Sequence, residues 1–460
     1  VCGIAGCVGP RDAVSVTFSL LIELQHRGQE ANGLAVVFSN GSISVAYGKG
    51  LISDMLNDKP HGDIPQGSDL FGGIGHVRYS TTGEYLNAQP QPVVVGGNGF
   101  KIAVAFNGTI ANYLSLSREF NLRNAGGDSI VLAETIYRLA KEMGNDVVEA
   151  LKVLPNYVVG GYSLAVLTSE PRIIISRDPY GFRPLAFAYT GDEFVFSSET
   201  AALDCLSLSP WREVLPGEII SFDGSSLSST QTTVSTPVSP CVFEYVYFSR
   251  PDSVFNGVNV YTARVKMGEE LALNAPANCD VVIPVPDSGR VAGIGFSRAS
   301  GIPMEEGIYA NKYAGRGFIA PPTIRDMVSR LKYGFVRSVI NEKRIVLVDD
   351  SIVRGTTMRS IVRRLREAGA KEVHVRVASP PFRYPCFMGI DIASREELLA
   401  WRAADLTDIA KSLEANSVGY NTVEGLRRAV GITSICCACF TGFYPFKGLG
   451  VEDLEKIFSR

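Results

Sequence analysis

A short apolar run leads into two acids and a glycine-hydroxyl loop: Ile345-Val346-Leu347-Val348-Asp349-Asp350-Ser351-Ile352-Val353-Arg354-Gly355-Thr356-Thr357. The apolar residues read as a buried parallel strand. The acids fall where that strand ends, the edge at which open α/β sheets bind ligands. Adjacent carboxylates can accept hydrogen bonds from vicinal hydroxyls. Gly355, Thr356 and Thr357 offer N–H groups and hydroxyls to an anion at a helix start. Met358, Ile361, Val362, Leu365 and Ala368 form the apolar stripe of that helix, and Gly369 ends it. A polyol carrying one phosphate suits this set, whereas the Gly-Lys-Ser/Thr of a nucleotide P-loop is absent. The alternative is a generic switch-point loop with capping acids.

A second constellation lies at the other end. The chain opens Val1-Cys2-Gly3-Ile4-Ala5-Gly6 and continues with Gln25-His26-Arg27-Gly28, His76-Val77-Arg78-Tyr79-Ser80-Thr81-Thr82-Gly83, Asn107-Gly108 and Gly127-Asp128. Amide hydrolysis needs a nucleophile, a proton acceptor and an oxyanion hole. A thiol suits the first role, and a cysteine at a chain terminus can use its own α-amine, of ordinary pKa ~7.7–8.0, for the second. Taken singly, Cys2 reads as a small core hydrophobe and Arg78 with Asp128 as a surface ion pair.

The third set is cysteine. Cys241, Cys386 and the run Cys436-Cys437-Ala438-Cys439 combine a C-x₂-C pair with two distant thiols. Such a set can hold zinc or an iron–sulfur cluster, and spacing does not choose between them. Nine cysteines in 460 residues are too sparse for a disulfide scaffold. Cys7, Cys205 and Cys279 read as core thiols.

The elements that must position these residues fall into two groups. The length calls for two or more domains. Residues 221–240 are rich in Ser and Thr and read as a polar edge hairpin followed by a linker, giving domains 2–235 and 236–460. Before the linker, short β-like runs (33–38, 43–47, 102–106, 163–167, 172–176 and 193–197) and helical patterns at 13–25 and 128–141 predict an α+β fold with mostly antiparallel sheet. After it, strands at 280–285, 344–348 and 372–378 alternate with helices at 291–300 and 357–368, predicting an α/β parallel sheet. The last stretch reads as helical, ending in the cysteines. A net charge of −3 offers no electrostatic case for nucleic acid or membrane. No apolar run approaches the ~18–20 residues of a spanning helix, and no signal segment opens the chain, so the cytoplasm is expected.

The loop at 349–357 resembles the phosphoribosyl-pyrophosphate (PRPP) motif of phosphoribosyltransferases. The resemblance implies that Asp349 and Asp350 hold the ribose 2′- and 3′-hydroxyls while Ser351, Arg354, Gly355, Thr356 and Thr357 cradle the 5′-phosphate. Pro284-Val285-Pro286-Asp287-Ser288-Gly289-Arg290 resembles the pyrophosphate loop of the same enzymes, with Mg²⁺ near Ser288, Asp349 and Asp350. Lys312-Tyr313-Ala314-Gly315-Arg316-Gly317 resembles their closing loop, and Arg316 and Lys332 bring positive charge to the diphosphate. Lys312 stands where the family more often has Arg, and Gly317 where it has Thr.

The N-terminal motifs resemble the class II glutamine amidotransferases, which are N-terminal-nucleophile hydrolases. That implies Cys2 as nucleophile, Asn107 and Gly108 as oxyanion donors, Arg78 and Asp128 as holders of the glutamine carboxylate and ammonium, and Arg27 as a prop for the nucleophile strand. Val1 departs from the pattern, because an attached residue leaves Cys2 an amide nitrogen. Either Val1 is trimmed, or the form carrying it is inactive toward glutamine. Together the two halves resemble the glutamine PRPP amidotransferases. The cysteines match the subclass with a [4Fe–4S] cluster on Cys241, Cys386, Cys436 and Cys439, and Cys437 sits where that subclass has an aliphatic residue. The resemblance further implies ammonia channelled to C1 of PRPP, purine nucleotide inhibitors, and a homotetramer or homodimer. A glucosamine-phosphate synthase would lack the acid loop, and a PRPP-binding regulator would not need the glutaminase set.

Overall fold

The computed structural model describes residues 1–9, 11–57, 62, 64, 67, 69–79, 90–97, 99–122, 126–311, 331–390, 392 and 394–459. Ser80 to Gly83 and the expected closing loop with Lys312, Tyr313 and Arg316 lie outside the described residues.

Two antiparallel sheets carry the first half. Among the described residues one runs, in spatial order, Trp211–Glu213, Ala186–Tyr189, Phe194–Ser197, Gly3–Val8, Leu70–Arg78, Ala31–Phe38 and Ile43–Lys49. The other runs Leu227–Gln231, Glu218–Phe222, Arg172–Arg177, Gly160–Thr168, Phe100–Ile110 and Val93–Gly97. Alternation along each strand gives each sheet two apolar faces. The inner faces meet: Ile4, Ala35, Val37 and Ile74 share one core with Ala103, Ala105, Ala165 and Ile175. The outer faces take helices. Helix Ala13–Glu23, N-capped by the Asp12 carboxylate on Val14 N and Ser15 N, sets Leu20 and Leu21 against Ala5 and Cys7. Helix Asp128–Glu142 sets Leu132, Ile136 and Leu139 against Ile102, Val104 and Phe106. The polar run expected as an edge hairpin is one, since Leu227–Gln231 pairs with Glu218–Phe222 at the sheet margin.

Strands Gly3–Val8 and Leu70–Arg78 carry Cys2 and Arg78 and escaped the pattern reading. Leu70–Arg78 is broken by glycines in sequence for a packing reason. A Cβ on Gly75 would lie 2.5 Å from Leu21 Cδ1 and 2.9 Å from Thr17 Cγ2, so helix Ala13–Glu23 can seat only on a bare backbone there.

The second half builds a parallel sheet in the order Val281–Pro284, Arg344–Asp349, Glu372–Val377 and Ser417–Tyr420. Val282 also pairs in parallel with Met304 on its other side. The chain therefore leaves Val281–Pro284 toward one edge and Arg344–Asp349 toward the other. The gap between their C-terminal ends is the topological switch point. Helices Val260–Asn274 and Arg290–Ser300 cover one face, and Thr356–Glu367 and Leu406–Leu413 the other. Strand Ser417–Tyr420 lies within the stretch expected to be helical. It completes the sheet by burying Val418 and Tyr420 against Val375 and Val377. No helix of the described residues is long and apolar enough to cross a membrane.

Candidate active site

Strand pairing builds the first site. Gly3 stands opposite Val77, and Ile4 opposite His76. Strand alternation then sets Cys2, Ile4, His76 and Arg78 on one face, the face that Ile4 turns toward the second sheet. From that sheet Ala103 and Ala105 look back, and Asn107 follows them in phase. The two strands meet at their ends: Cys2 N donates to Asn107 Oδ1 at 3.2 Å. Asn107 is fully buried, and its Nδ2 has no hydrogen-bond partner among the described residues. Leaving such a donor unmade costs about 1–3 kcal/mol. An oxyanion forming beside Cys2 would relieve that cost.

The charges around Cys2 favour a thiolate. Burial raises the thiol, but it is outweighed by His76 and by the Tyr79 N–H, and the pKa comes down to about 5. His76 is fully buried beside the sulfur and is the strongest of the groups that lower it. Cys2 as a whole is half-buried. Asp128 opens its helix and accepts from Ile110 N at 3.2 Å. Burial raises its carboxyl to about 6 against the pull of Ile110 N–H and Arg78, and Cys2 adds to the rise. Asp128 thus feels the charge of both Arg78 and Cys2. Arg27 is fully buried and donates through Nε to Cys2 O at 2.9 Å.

The second site occupies the switch point. Asp349 is 9% exposed and Asp350 5%. Ser288 Oγ donates to Asp349 Oδ1 at 3.2 Å, tying the loop after Val281–Pro284 to the acid strand. Asp350 N donates to the same oxygen at 2.9 Å, and Ser351 Oγ donates to Asp350 Oδ2. Burial, and then the neighbouring Asp350, push Asp349 well above the usual carboxylate range. Gly355 has φ +83, the left-handed region that a residue with a Cβ avoids. It starts helix Thr356–Glu367 with no side-chain cap, leaving the first N–H groups open to a ligand. The Lys332 ammonium lies 5.0 Å from the Tyr333 ring, and the Tyr333 hydroxyl is pushed up by burial and then by Asp349. Arg354 turns outward, with Nε donating to Glu397 Oε2 at 2.9 Å. Asp287 is largely exposed and pairs with Arg290 Nη1 at 3.2 Å.

Residues 76–205 match the glutamine amidotransferase domain family, and residues 259–379 match the phosphoribosyl transferase domain family. The amidophosphoribosyltransferase of Pyrococcus horikoshii is 46% identical over 96% of this chain and 96% of its own length. That of Archaeoglobus fulgidus is 40% identical over 98% of this chain and 99% of its own. The chain belongs to the amidophosphoribosyltransferase family. Among solved structures, the glutamine PRPP amidotransferase of B. subtilis, complexed with ADP and GMP, superposes with a TM-score of 0.86 at 37% identity, covering 98% of this chain and 100% of that one. The amidophosphoribosyltransferase fold is thus an N-terminal-nucleophile hydrolase domain joined to a type I phosphoribosyltransferase domain.

Cys241, Cys386, Cys436, Cys437 and Cys439 gather in one core with Phe382, Phe387 and Phe440. Cys241 bridges Cys436 through the backbone, Cys436 N donates to Pro240 O at 2.8 Å, and Tyr384 N donates to Cys439 O at 3.0 Å. Burial, then Cys241 and Cys386, push the Cys439 thiol well up. Among the described residues, no group of three or more His, Cys, Asp or Glu side chains is disposed to hold a metal ion. Motif reading passed over His76, Glu199, Arg183 and Glu244. His76 stood inside a quoted motif without a role. The other three carry no local signal, because their partners are distant in sequence.

Proposed function

We propose that the chain makes 5-phosphoribosylamine, the first committed step of purine synthesis. It hydrolyses glutamine at Cys2 and passes the ammonia to C1 of PRPP. It is a pentosyltransferase with glutamine amidotransferase activity, as its family membership states. The observation that carries the residue assignment is the buried Asn107 Nδ2 beside Cys2, unpartnered among the described residues. We read the domains as 2–235 and 236–460.

The Cys2 thiolate attacks the glutamine amide carbon. Asn107 Nδ2 and Gly108 N–H receive the oxyanion, while Arg78 and Asp128 hold the α-carboxylate and α-ammonium. As the intermediate collapses, the C–N bond breaks, the leaving nitrogen takes up a proton and departs as ammonia, and the glutamyl thioester left on Cys2 is hydrolysed by water to glutamate, which frees the thiol. Removal of whatever precedes Cys2 supplies a basic amine for these proton transfers. At the switch point Asp349 and Asp350 hold the ribose hydroxyls. Ser351, Gly355, Thr356 and Thr357, with Arg354, take the 5′-phosphate. Asp287, Ser288, Gly289 and Lys332 face the diphosphate, with Lys312, Tyr313 and Arg316 as the closing loop. Ammonia then attacks C1 with inversion as diphosphate leaves.

The hard oxygens of Asp349, Asp350 and Ser288 suit Mg²⁺, which when bound neutralises the departing diphosphate. By donor chemistry the buried thiols of Cys241, Cys386, Cys436 and Cys439 would suit a [4Fe–4S] cluster, although their side chains are not disposed around a metal in this structure. A structural and oxygen-sensing role for that cluster belongs to the same reading. Purine nucleotides as inhibitors and a homotetramer or homodimer complete the reading.

Cys2→Ala tests it. Glutamine-dependent synthesis is expected to vanish while synthesis from added ammonia persists. Retention of glutamine-dependent synthesis by Cys2→Ala would reject Cys2 as the nucleophile.

A further inference from the structure

Arg27, the group that grips the Cys2 carbonyl, is held in place by a closed set of buried charges drawn from both halves of the chain. Its Nη1 donates to Glu199 Oε1 at 2.5 Å and to Glu244 Oε2 at 3.0 Å, and its Nη2 to Glu244 Oε1 at 2.8 Å. Glu244 belongs to the second half, in the π-helical turn Glu244–Phe248 just past the linker. It is fully buried, and it also accepts from Arg183 Nη1 at 3.0 Å and from Ser249 Oγ at 2.8 Å. Glu199 belongs to the first half and reaches the other way, accepting from Arg250 N at 2.8 Å and Ser253 Oγ at 2.7 Å, with His26 Nε2 at 2.7 Å.

Two guanidiniums and two carboxylates nearly balance, and both carboxyls are held well below their usual range against the cost of burial, Glu199 chiefly by His26 and Arg27, Glu244 by Arg27 and Arg183. Replacing a well-made buried network by apolar groups is often neutral for stability, so stability alone gives it no purpose. Geometry does. Arg27 has a fixed fork of donors, and with both Nη atoms engaged its Nε can point only one way, at Cys2 O. Glu244 supplies the bidentate half of that constraint. Its turn is anchored in the second half by Arg264, whose Nε and Nη2 donate to Tyr245 O at 2.6 Å and Ser249 O at 2.8 Å.

We propose that Glu244 is a positioning residue for the glutaminase reaction: it orients Arg27, which sets Cys2 against Asn107, so the first half's active site is incomplete without a carboxylate from the second. The proposal rests on Cys2 being the nucleophile. A displacement of about 1 Å at a reacting atom can cost on the order of 10²-fold in rate.

The test compares Glu244→Gln and Glu244→Asp in the full chain, with wild type and Cys2→Ala alongside. Glu244→Gln keeps the shape and removes the charge. It is expected to lower glutaminase kcat by about tenfold or more, with KM for glutamine little changed, while ammonia-dependent synthesis stays near wild type. Glu244→Asp should recover part of the loss. A wild-type kcat in Glu244→Gln overturns the proposal. So does a parallel fall in both activities that Glu244→Asp does not recover, since that marks a merely structural carboxylate. If Glu244→Gln does not fold, Ser249→Ala removes one bond to the same carboxylate, and its glutaminase kcat decides: lowered supports the proposal, unchanged overturns it. Should Cys2→Ala still hydrolyse glutamine, the nucleophile assignment fails, and that outcome is read separately from the Glu244 variants.

Discussion

At the scale of single residues, Asn107 is the most exposed to test. Its Oδ1 is engaged by Cys2 N and its Nδ2 is unpartnered among the described residues, so in the proposed reaction it holds the nucleophile with one atom and offers the other to the oxyanion. Asn107→Ala should lower glutaminase kcat by about 10²–10³-fold with a smaller effect on KM, measured by glutamate release. The pH profile separates two neighbouring groups. Asp128 carries charge only above about 6, so as pH falls through that value it takes up a proton and loses its hold on the glutamine ammonium. KM for glutamine should therefore rise below pH 6. The Cys2 thiol, at about 5, remains a thiolate through that window, so kcat should fall only at lower pH. A kcat that falls before KM rises would reverse the assignment.

At the scale of elements, position is decided by how strands end and helices begin. Strand Arg344–Asp349 stops at the switch point, and Gly355 turns the chain into helix Thr356–Glu367 within a few residues. A Cβ at Gly355 would meet Leu399 Cδ2 at 2.7 Å. It would also hold a left-handed φ at a cost of roughly 1–2 kcal/mol. Gly355→Ala should raise KM for PRPP in the ammonia-dependent reaction and leave basal glutamine hydrolysis unchanged. The same scale shows which elements were legible. Helix Asp128–Glu142 and strand Arg344–Asp349 declare themselves by apolar period, because each buries one stripe or one run. Strand Leu70–Arg78 does not, since its glycines answer to the helix packed on it, a constraint written at Thr17 and Leu21.

At the scale of the whole molecule, the two halves of the chain meet at one seam. Arg27, Glu199, Glu244 and Arg183 close it with buried charge, and the cysteine core continues it toward the C-terminus. The division of labour makes a clean prediction for metal removal. Chelating Mg²⁺ should abolish 5-phosphoribosylamine formation from either nitrogen donor, yet spare basal glutamine hydrolysis, which needs only Cys2 and its neighbours. Parallel loss of both would mean that magnesium also supports the first half.

The chain by itself determined its chemistry. The Asp349–Thr357 loop announces itself, because a polyol and phosphate cradle needs particular side chains at short spacing, whereas Cys2, Arg78, Asn107-Gly108 and Asp128 are silent singly and legible only as a set of motifs in order. Only the tertiary structure decided what orients them. That Cys2 meets Asn107 depends on the register of Gly3–Val8 on Leu70–Arg78 and on the stacking of two sheets. That Glu244 grips Arg27 depends on contacts 217 residues apart in the chain. Such pairs leave no periodicity to read, since a buried carboxylate needs only one cation, and the fold can bring that cation from anywhere.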